Sequence, residues 1–362
     1  MIPIAKPIIS NAEIDLVNEV LKSGNLASGE YVKKFEDDFA NYIEIPYAIA
    51  TSSGTTGLHA AIEALELPEN SQIITTPFTF IASSNSILYS GHKPVFADID
   101  PNTCNMSTEH IRKLVKENNN IKAILVVHLY GLPANMDEIM KVANELNLKV
   151  IEDCAQAHGA EINGKKVGTF GDVGVFSFYP TKNMTTSEGG MIVTKDEEIY
   201  NRGKLLINHG SSERYVHTIL GYNYRMTNIS AAIGLGQLRQ INHFTSQRIK
   251  NAKLLDKGLK DIEWLDIPYV PSGYKHVYHQ YTIKIKNKLR NDVINKLEKN
   301  GIGYGVHYPT PIHLQPLYKE LGYNGISLPN AERLSSQVLS IPVHPSLSET
   351  DIHTIIEVLK SI

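Results

Sequence analysis

The chain is 362 residues long, 42% hydrophobic and 20% charged, with a net charge of −3 and a pI near 6.5; this is the profile of an ordinary globular protein with room for a large core and two domains. It holds no run of clustered Lys/Arg with interleaved aromatics, no apolar stretch of the roughly 18–20 residues that span a bilayer, and no basic-then-apolar leader in "MIPIAKPIIS", so nucleic acid, membrane and secretion are not expected. Cys104 and Cys154 make no disulfide framework and fit a reducing cytoplasm, and none of the 14 histidines stands in a metal-ligand spacing.

Two amphipathic helices are predicted first, over Ala12–Ser23 and Tyr31–Tyr42. From about residue 45 to 195, short β-rich runs then alternate with helical ones. The predicted strands are Tyr47–Thr51, Gln72–Thr76, Pro94–Ala97, Ala123–Val127, Lys149–Asp153, Val173–Tyr179 and Met191–Thr194. Helices at Thr56–Leu65, Ile81–Tyr89, Thr108–Glu117 and Met136–Leu146 separate most of them. Most of the strands are continuous Val/Ile/Ala/Phe runs, as burial on both faces requires. The expectation is an α/β fold with one seven-stranded, mainly parallel sheet covered by helices. A long helix opens at Asn228–Leu238 and runs to about Ile262. Beyond it Val277–Lys284 reads as strand, and Asp292–Asn300 and Glu349–Ile362 read as helices, around the Gly/Pro/aromatic-rich "GIGYGVHYPTPIHLQPLY". This change of texture places a large domain over 1–240 and a smaller C-terminal α/β domain over 241–362.

In parallel α/β sheets ligands sit beyond the carboxyl ends of the strands. After the first strand comes "SSGTTGLHAAIEAL": Ser53, Gly54, Thr55 and Thr56 put N–H groups and hydroxyls at a helix N-terminus, an anion site or equally an ordinary cap. Neither GxxxxGK[ST] nor GxGxxG occurs, which argues against a Walker loop and a dinucleotide fold. "TTPFTFIASS" ends the second strand with Phe78 and Phe80, either core side chains or a platform for a flat heteroaromatic ring. "IEDCAQAHGA" puts Asp153 at the end of an apolar strand, where a bare carboxylate is costly to bury. It is either a helix cap or ion-pair partner, or an acid facing a cationic ring nitrogen. "FSFYPTKNMTTSEGGMIVT" sets Lys182 in a polar loop between two strands, 29 residues past Asp153, with Ser177 on the intervening strand. Lysine forms a Schiff base with an aldehyde once its amine loses a proton, and a dry pocket encourages that loss. A phosphate-type turn, an aromatic, an acid, a hydroxyl and a lysine, in that order, are the parts that pyridoxal 5′-phosphate (PLP) needs.

With these segments, and with "EVLKSGNLASGEYVKKFEDDFANY", "VVHLYGLPANMDEI", "NHG", "GYNYRMTNISAAIGLGQL" and "GVHYPTPIHLQPLY" in compatible order, nearly the whole chain resembles the DegT/DnrJ-type sugar-nucleotide aminotransferases. These are a branch of the fold-type-I PLP enzymes. The resemblance implies transfer of an amino group from an amino acid, L-glutamate, to a keto-sugar nucleotide. That substrate would be UDP- or dTDP-linked and aminated at carbon 3. The enzyme would be a cytoplasmic homodimer with shared active sites and no metal. Lys182 matches the lysine joined to PLP, and Asp153 the acid at the pyridine nitrogen. Gln156 matches a residue near the ring hydroxyl, and Phe80 the aromatic stacked on the ring. Gly54, Thr55, Thr56 and Ser177 match the phosphate cup, and Asn223 an asparagine that reaches the phosphate from the other subunit. Arg225, His307, Tyr308 and His313 match the region around the sugar nucleotide; His307 and His313 equally suit packing within their loop. Three alternatives remain: a PLP-dependent sugar dehydratase, although those relatives resemble the family with histidine at the lysine position, a non-catalytic regulatory relative, and a plain α/β binding or scaffolding protein, which would make the ordered set of strand-end polar residues an accident. Where the family has Gly-Glu-Gly-Gly, this chain has Ser187-Glu188-Gly189-Gly190, and serine disfavours positive φ at such a turn.

Overall fold

The computed structural model describes residues 1–286 and 288–362. Its main sheet comprises β1 (Tyr47–Thr51), β2 (Gln72–Thr75), β3 (Lys93–Phe96), β4 (Ile121–Val127), β5 (Lys149–Asp153), β6 (Val173–Ser177) and β7 (Gly190–Thr194). The spatial order is β1-β7-β6-β5-β4-β2-β3. Neighbours from β3 to β6 pair in parallel, and β7 lies antiparallel to both β6 and β1. Six strands therefore end on one edge of the sheet, and β7 begins there.

The side-chain alternation of the strands sorts the helices onto two faces. Ala48, Ala50, Met191 and Val193 point to one face, where α2 (Glu30–Ile43) packs; Ile49, Val175 and Ile192 point to the other, against α3 (Gly54–Ala64). Phe35 and Phe39 of α2 meet Phe176 and Phe178 with ring centroids 5.1 to 5.5 Å apart. α1 (Asn11–Ser23) packs with α8 (Asn228–Leu259), which also packs on α2. The α3 face also takes α4 (Ala82–Tyr89) and α7 (Glu197–Leu206), while α5 (Thr108–Glu117) and α6 (Met136–Leu146) lie on the α2 side.

A second core forms around β8 (Leu265–Asp266), β9 (Tyr281–Ile285) and β10 (Val338–Ile341), an antiparallel sheet in that order. Residue 240 falls inside α8, whose later turns, from Ala252, pack into this second core with Ile2 of the N-terminal strap. Tyr318, Leu328 and Leu334 return to pack against the core of the main sheet. Among the described residues no helix is long and apolar enough to cross a membrane.

Two expectations are corrected in detail. The strand expected over Val277–Lys284 begins only at Tyr281, because the main chain of 277–280 bonds elsewhere. Val277 N–H donates to Gly131 O and Gln280 N–H to Tyr130 O, while Asn183 and Arg248 side chains take the Val277, Tyr278 and His279 carbonyls. Ser187 does adopt the left-handed region, at φ 70°.

Candidate active site

The strand ends on the shared edge enclose a cavity of about 650 Å³. Asp153 ends β5, Ser177 ends β6, Lys182 lies in the loop from β6 to β7, and Gly54 opens α3; all four line the cavity. Asp153 is only 5% exposed. Ser83 Oγ donates to its Oδ2 at 2.7 Å, and Ala155 N–H donates to its Oδ1 at 3.1 Å. Burial pushes this carboxyl above its ordinary pKa, while those two bonds, Lys182 and His128 pull it back. Lys182 is turned inward by a loop in which its N–H donates to Tyr179 O at 2.9 Å. Burial lowers its pKa to about 8, against the attraction of Asp153.

The start of α3 forms a cup. Ser53 caps the helix by accepting Thr56 N–H at 3.1 Å. Thr56 Oγ1 turns inward, accepting Ser53 N–H at 3.0 Å and donating to Ser53 O at 2.9 Å, so Thr56 does not line the cavity, whereas Gly54 and Thr55 do. A Cβ on Gly54 would lie 2.7 Å from Ser177 Cβ, so only glycine lets the helix start approach β6 this closely. Free N–H groups and the helix dipole at this point attract an anion.

Other walls come from loops. Gln156 is held between two partners: Oε1 accepts Tyr130 N–H at 2.7 Å, and Nε2 donates to the Tyr308 hydroxyl at 3.1 Å. Phe80 stands at the rim, 59% exposed, its ring 6.5 Å from that of Tyr308. His307 Nδ1 lies 2.9 Å from Ser340 Oγ; burial, then Lys182, lowers its pKa to about 4. Burial raises the Tyr308 phenol above its ordinary value.

Three expected site residues lie elsewhere in the chain. Asn223 is exposed and bridged to Asn208, Arg225 donates to Asn208 Oδ1 at 2.7 Å, and His313 is fully buried with Nε2 3.2 Å from Glu332 Oε1. Conversely, Ser83, Glu188 and His279 line the cavity without having been singled out. Ser83 does follow Phe80 at helical spacing, the one hint the sequence offered. His128, Glu152 and Cys154 form a buried trio beneath Asp153, but His128 Nε2 is 3.0 Å from Glu152, whose oxygens also accept N–H bonds from Gly168, Phe170 and Gly171 at 2.8 Å. That bonding is a structural brace.

PLP fits these residues. An anion cup takes its phosphate, the glycine there leaves no side chain in the way, a buried carboxylate suits a ring N–H, and a lysine poised to lose its proton suits an aldehyde. On the carboxyl edge of a mainly parallel sheet, this arrangement defines a PLP enzyme of fold type I. The model of the DegT/DnrJ/EryC1/StrS aminotransferase family matches residues 7–360, and the chain belongs to that family. It is 40% identical over 355 residues to a GDP-perosamine synthase of Escherichia coli O157:H7, covering 93% of this chain and 95% of that protein. It is 39% identical over 347 residues to a pleiotropic regulatory protein of Geobacillus stearothermophilus (94% and 92% covered). It is 37% identical over 345 residues to a UDP-N-acetyl-3-dehydro-α-D-glucosamine 3-aminotransferase of Acidithiobacillus ferrooxidans (95% and 92% covered). The crystal structure of NtdA from Bacillus subtilis with bound PMP matches with a TM-score of 0.91 at 31% identity, covering 98% of this chain and 82% of that one. The protein is an aminotransferase, and PLP is its cofactor.

Proposed function

We propose that the protein moves the amino group of an amino acid, L-glutamate, onto the keto carbon of a nucleotide-linked sugar. The observation that carries this reading is one cavity with Lys182 and Asp153 on its walls and an anion cup at α3, its 650 Å³ within the range of small-molecule sites. PLP, when bound, supplies an aldehyde that captures amines and a ring that withdraws electrons. Lys182 Nζ holds the cofactor. Once displaced, it takes a proton from the donor α-carbon, and later gives one to the carbon that receives the nitrogen. Asp153 keeps the ring nitrogen protonated through a charge-assisted hydrogen bond worth about 1.5–3 kcal/mol. Gly54, Thr55 and Ser177 would hold the phosphate, with Thr56 shaping their turn; Phe80 would supply the aromatic platform for the ring, and Gln156 a polar partner near it.

Asn223 and Arg225, outside the cavity of their own chain, serve the cavity of a second copy, making a cytoplasmic homodimer with shared sites. His307 and Tyr308 meet the sugar nucleotide, and His313 supports the loop that carries them. The division between a large domain over 1–240 and a small one over 241–362 falls within α8, and the C-terminal part brings His279, His307 and Tyr308 to the cavity wall. Lysine at position 182 sets this reading against sugar dehydration. A UDP-linked 3-keto substrate is supported by the Acidithiobacillus relative at 37% identity. A GDP-linked substrate is the second reading, supported by the Escherichia coli relative at 40% identity.

The test is the visible spectrum of the PLP-loaded protein. Its yellow band should fade on L-glutamate and return on addition of UDP-N-acetyl-3-dehydro-α-D-glucosamine, or of a dTDP- or GDP-linked keto-sugar. Fading with no return on any sugar nucleotide overturns the acceptor. A band that ignores every amino donor favours the regulatory role. Turnover by Lys182→Ala within tenfold of wild type sinks the assignment of Lys182.

A further inference from the structure

These roles leave His279 unassigned, although it lines the same cavity. Its backbone is gripped from several sides. Arg248 Nη1 donates to Tyr278 O at 3.1 Å and His279 O at 3.4 Å, Asn183 Nδ2 donates to Val277 O at 3.1 Å, and Gln280 N–H donates to Tyr130 O at 3.2 Å. The ring Nδ1 is buried without a partner, which leaves Nε2 as the nitrogen on the cavity side. Arg248, 6% exposed, has its Nε–H buried without a partner as well. A proton on Nδ1 would add another unmet buried donor, whereas a proton on Nε2 is carried on the cavity side.

We propose that His279 presents Nε2–H to the cavity and donates it to the keto oxygen of the sugar nucleotide, polarising that carbonyl as the amine adds to its carbon. The role rests on the amino-transfer reading above. Burial first, and then Lys182, Arg248, His307 and His158, keep the pKa of the imidazole well below its ordinary value. His158 is lowered to about 3 by burial and Lys182, and His307, on the cavity wall like His279, to about 4, so neither brings a charge at working pH. Among the described residues, Asp153 at the end of β5, Tyr179 after β6, Glu188 before β7 and Tyr308 beside His307 are the other titratable groups on the cavity wall. A neutral imidazole held on a fixed main chain can stabilise oxygen charge without adding a second cation beside Lys182.

Two measurements on the PLP-loaded protein decide the matter. With ¹⁵N-labelled histidine, the signals lost in His279→Gln identify His279. They should report a neutral Nε2–H tautomer, unchanged between about pH 5.5 and 8.5. A titration in that window, or an Nδ1–H tautomer, overturns the proposal whatever the sugar. In single-turnover half-reactions, His279→Leu should leave the L-glutamate half within about twofold. The half with the keto-sugar nucleotide accepted by wild type, with UDP-N-acetyl-3-dehydro-α-D-glucosamine tried first, should slow about 100-fold. His279→Gln, which keeps an N–H at similar reach, should recover most of that loss. Equal losses in both halves, no loss in the sugar half, or no recovery by glutamine overturns the donor role. A wild-type protein that accepts no keto-sugar refutes the amino-transfer reading and the donor role with it; a normal wild type with a failed variant pattern refutes the donor role alone.

Discussion

Cofactor capture should depend on pH with an inflection near 8, and the reason lies in where Lys182 is placed. An ammonium taken from water into this wall loses hydration that Asp153 only partly restores, and its pKa falls from 10.5 to about 8. At pH 7 about one-tenth of the amine is then free base, against roughly 0.03% for an unperturbed lysine, an enrichment of about 300-fold. Only the free base attacks an aldehyde. Protein stripped of PLP and mixed with fresh PLP in a stopped-flow spectrometer should therefore form its visible band about tenfold faster for each pH unit up to 8, then level off. Lys182→Met should form no such band. A rate that keeps rising to pH 10, or one that is flat from pH 6, would refute the burial argument.

Three further outcomes follow from named contacts. In PLP-free protein, Lys182→Met should stabilise the fold at pH 7 by about 1–3 kcal/mol, since a depressed lysine pKa means that the protonated form opposes folding. That penalty is full below pH 8 and fades as pH rises from about 8 towards 10.5, so urea unfolding of variant and wild type should converge there; a constant gap would rule out the ionisation as its source. Gly54→Ala should keep the fold but weaken PLP binding at least about tenfold, because its Cβ would sit 2.7 Å from Ser177 Cβ and push α3 off β6; unchanged affinity would refute the cup. Ser83→Ala removes one of two donors from Asp153, a loss of about 1.5–3 kcal/mol to a charged acceptor, or about one to two pKa units upward. Turnover should fall about tenfold with PLP still bound, and a variant as fast as wild type would show that Ser83 does not hold the acid.

The parts of the site that were legible in the sequence are those fixed by the backbone path alone. Buried parallel strands announce themselves as unbroken apolar runs, and a polar residue at the end of such a run has to face the carboxyl edge, as Asp153 does; Lys182 stands in the short polar loop between two such runs. A helix N-terminus after β1 was equally plain, but the direction of one hydroxyl was not. Thr56 closes a capping box with Ser53, a local bond that competes with the ligand for the same oxygen. What spacing cannot express is contact across the fold. Ser83 reaches Asp153 over 70 residues of sequence, a pairing set by the packing of α4 beyond the end of β2. Likewise Val277–Lys284 reads as one strand, and its first four residues are diverted by Asn183 and Arg248, which take the carbonyls that a strand neighbour would otherwise use. Ser187 holds φ 70° although a left-handed serine costs about 1–2 kcal/mol. The chain then enters β7 in close contact with β1, where a Cβ on Gly190 would lie 2.5 Å from Ser53 O. The groups proposed to hold the cofactor therefore follow from the order of strands, whereas those proposed to face the acceptor, His279, His307 and Tyr308, are brought to the cavity wall by segments whose course is set by side chains. Relatives that share the first set can therefore diverge in the sugar they accept.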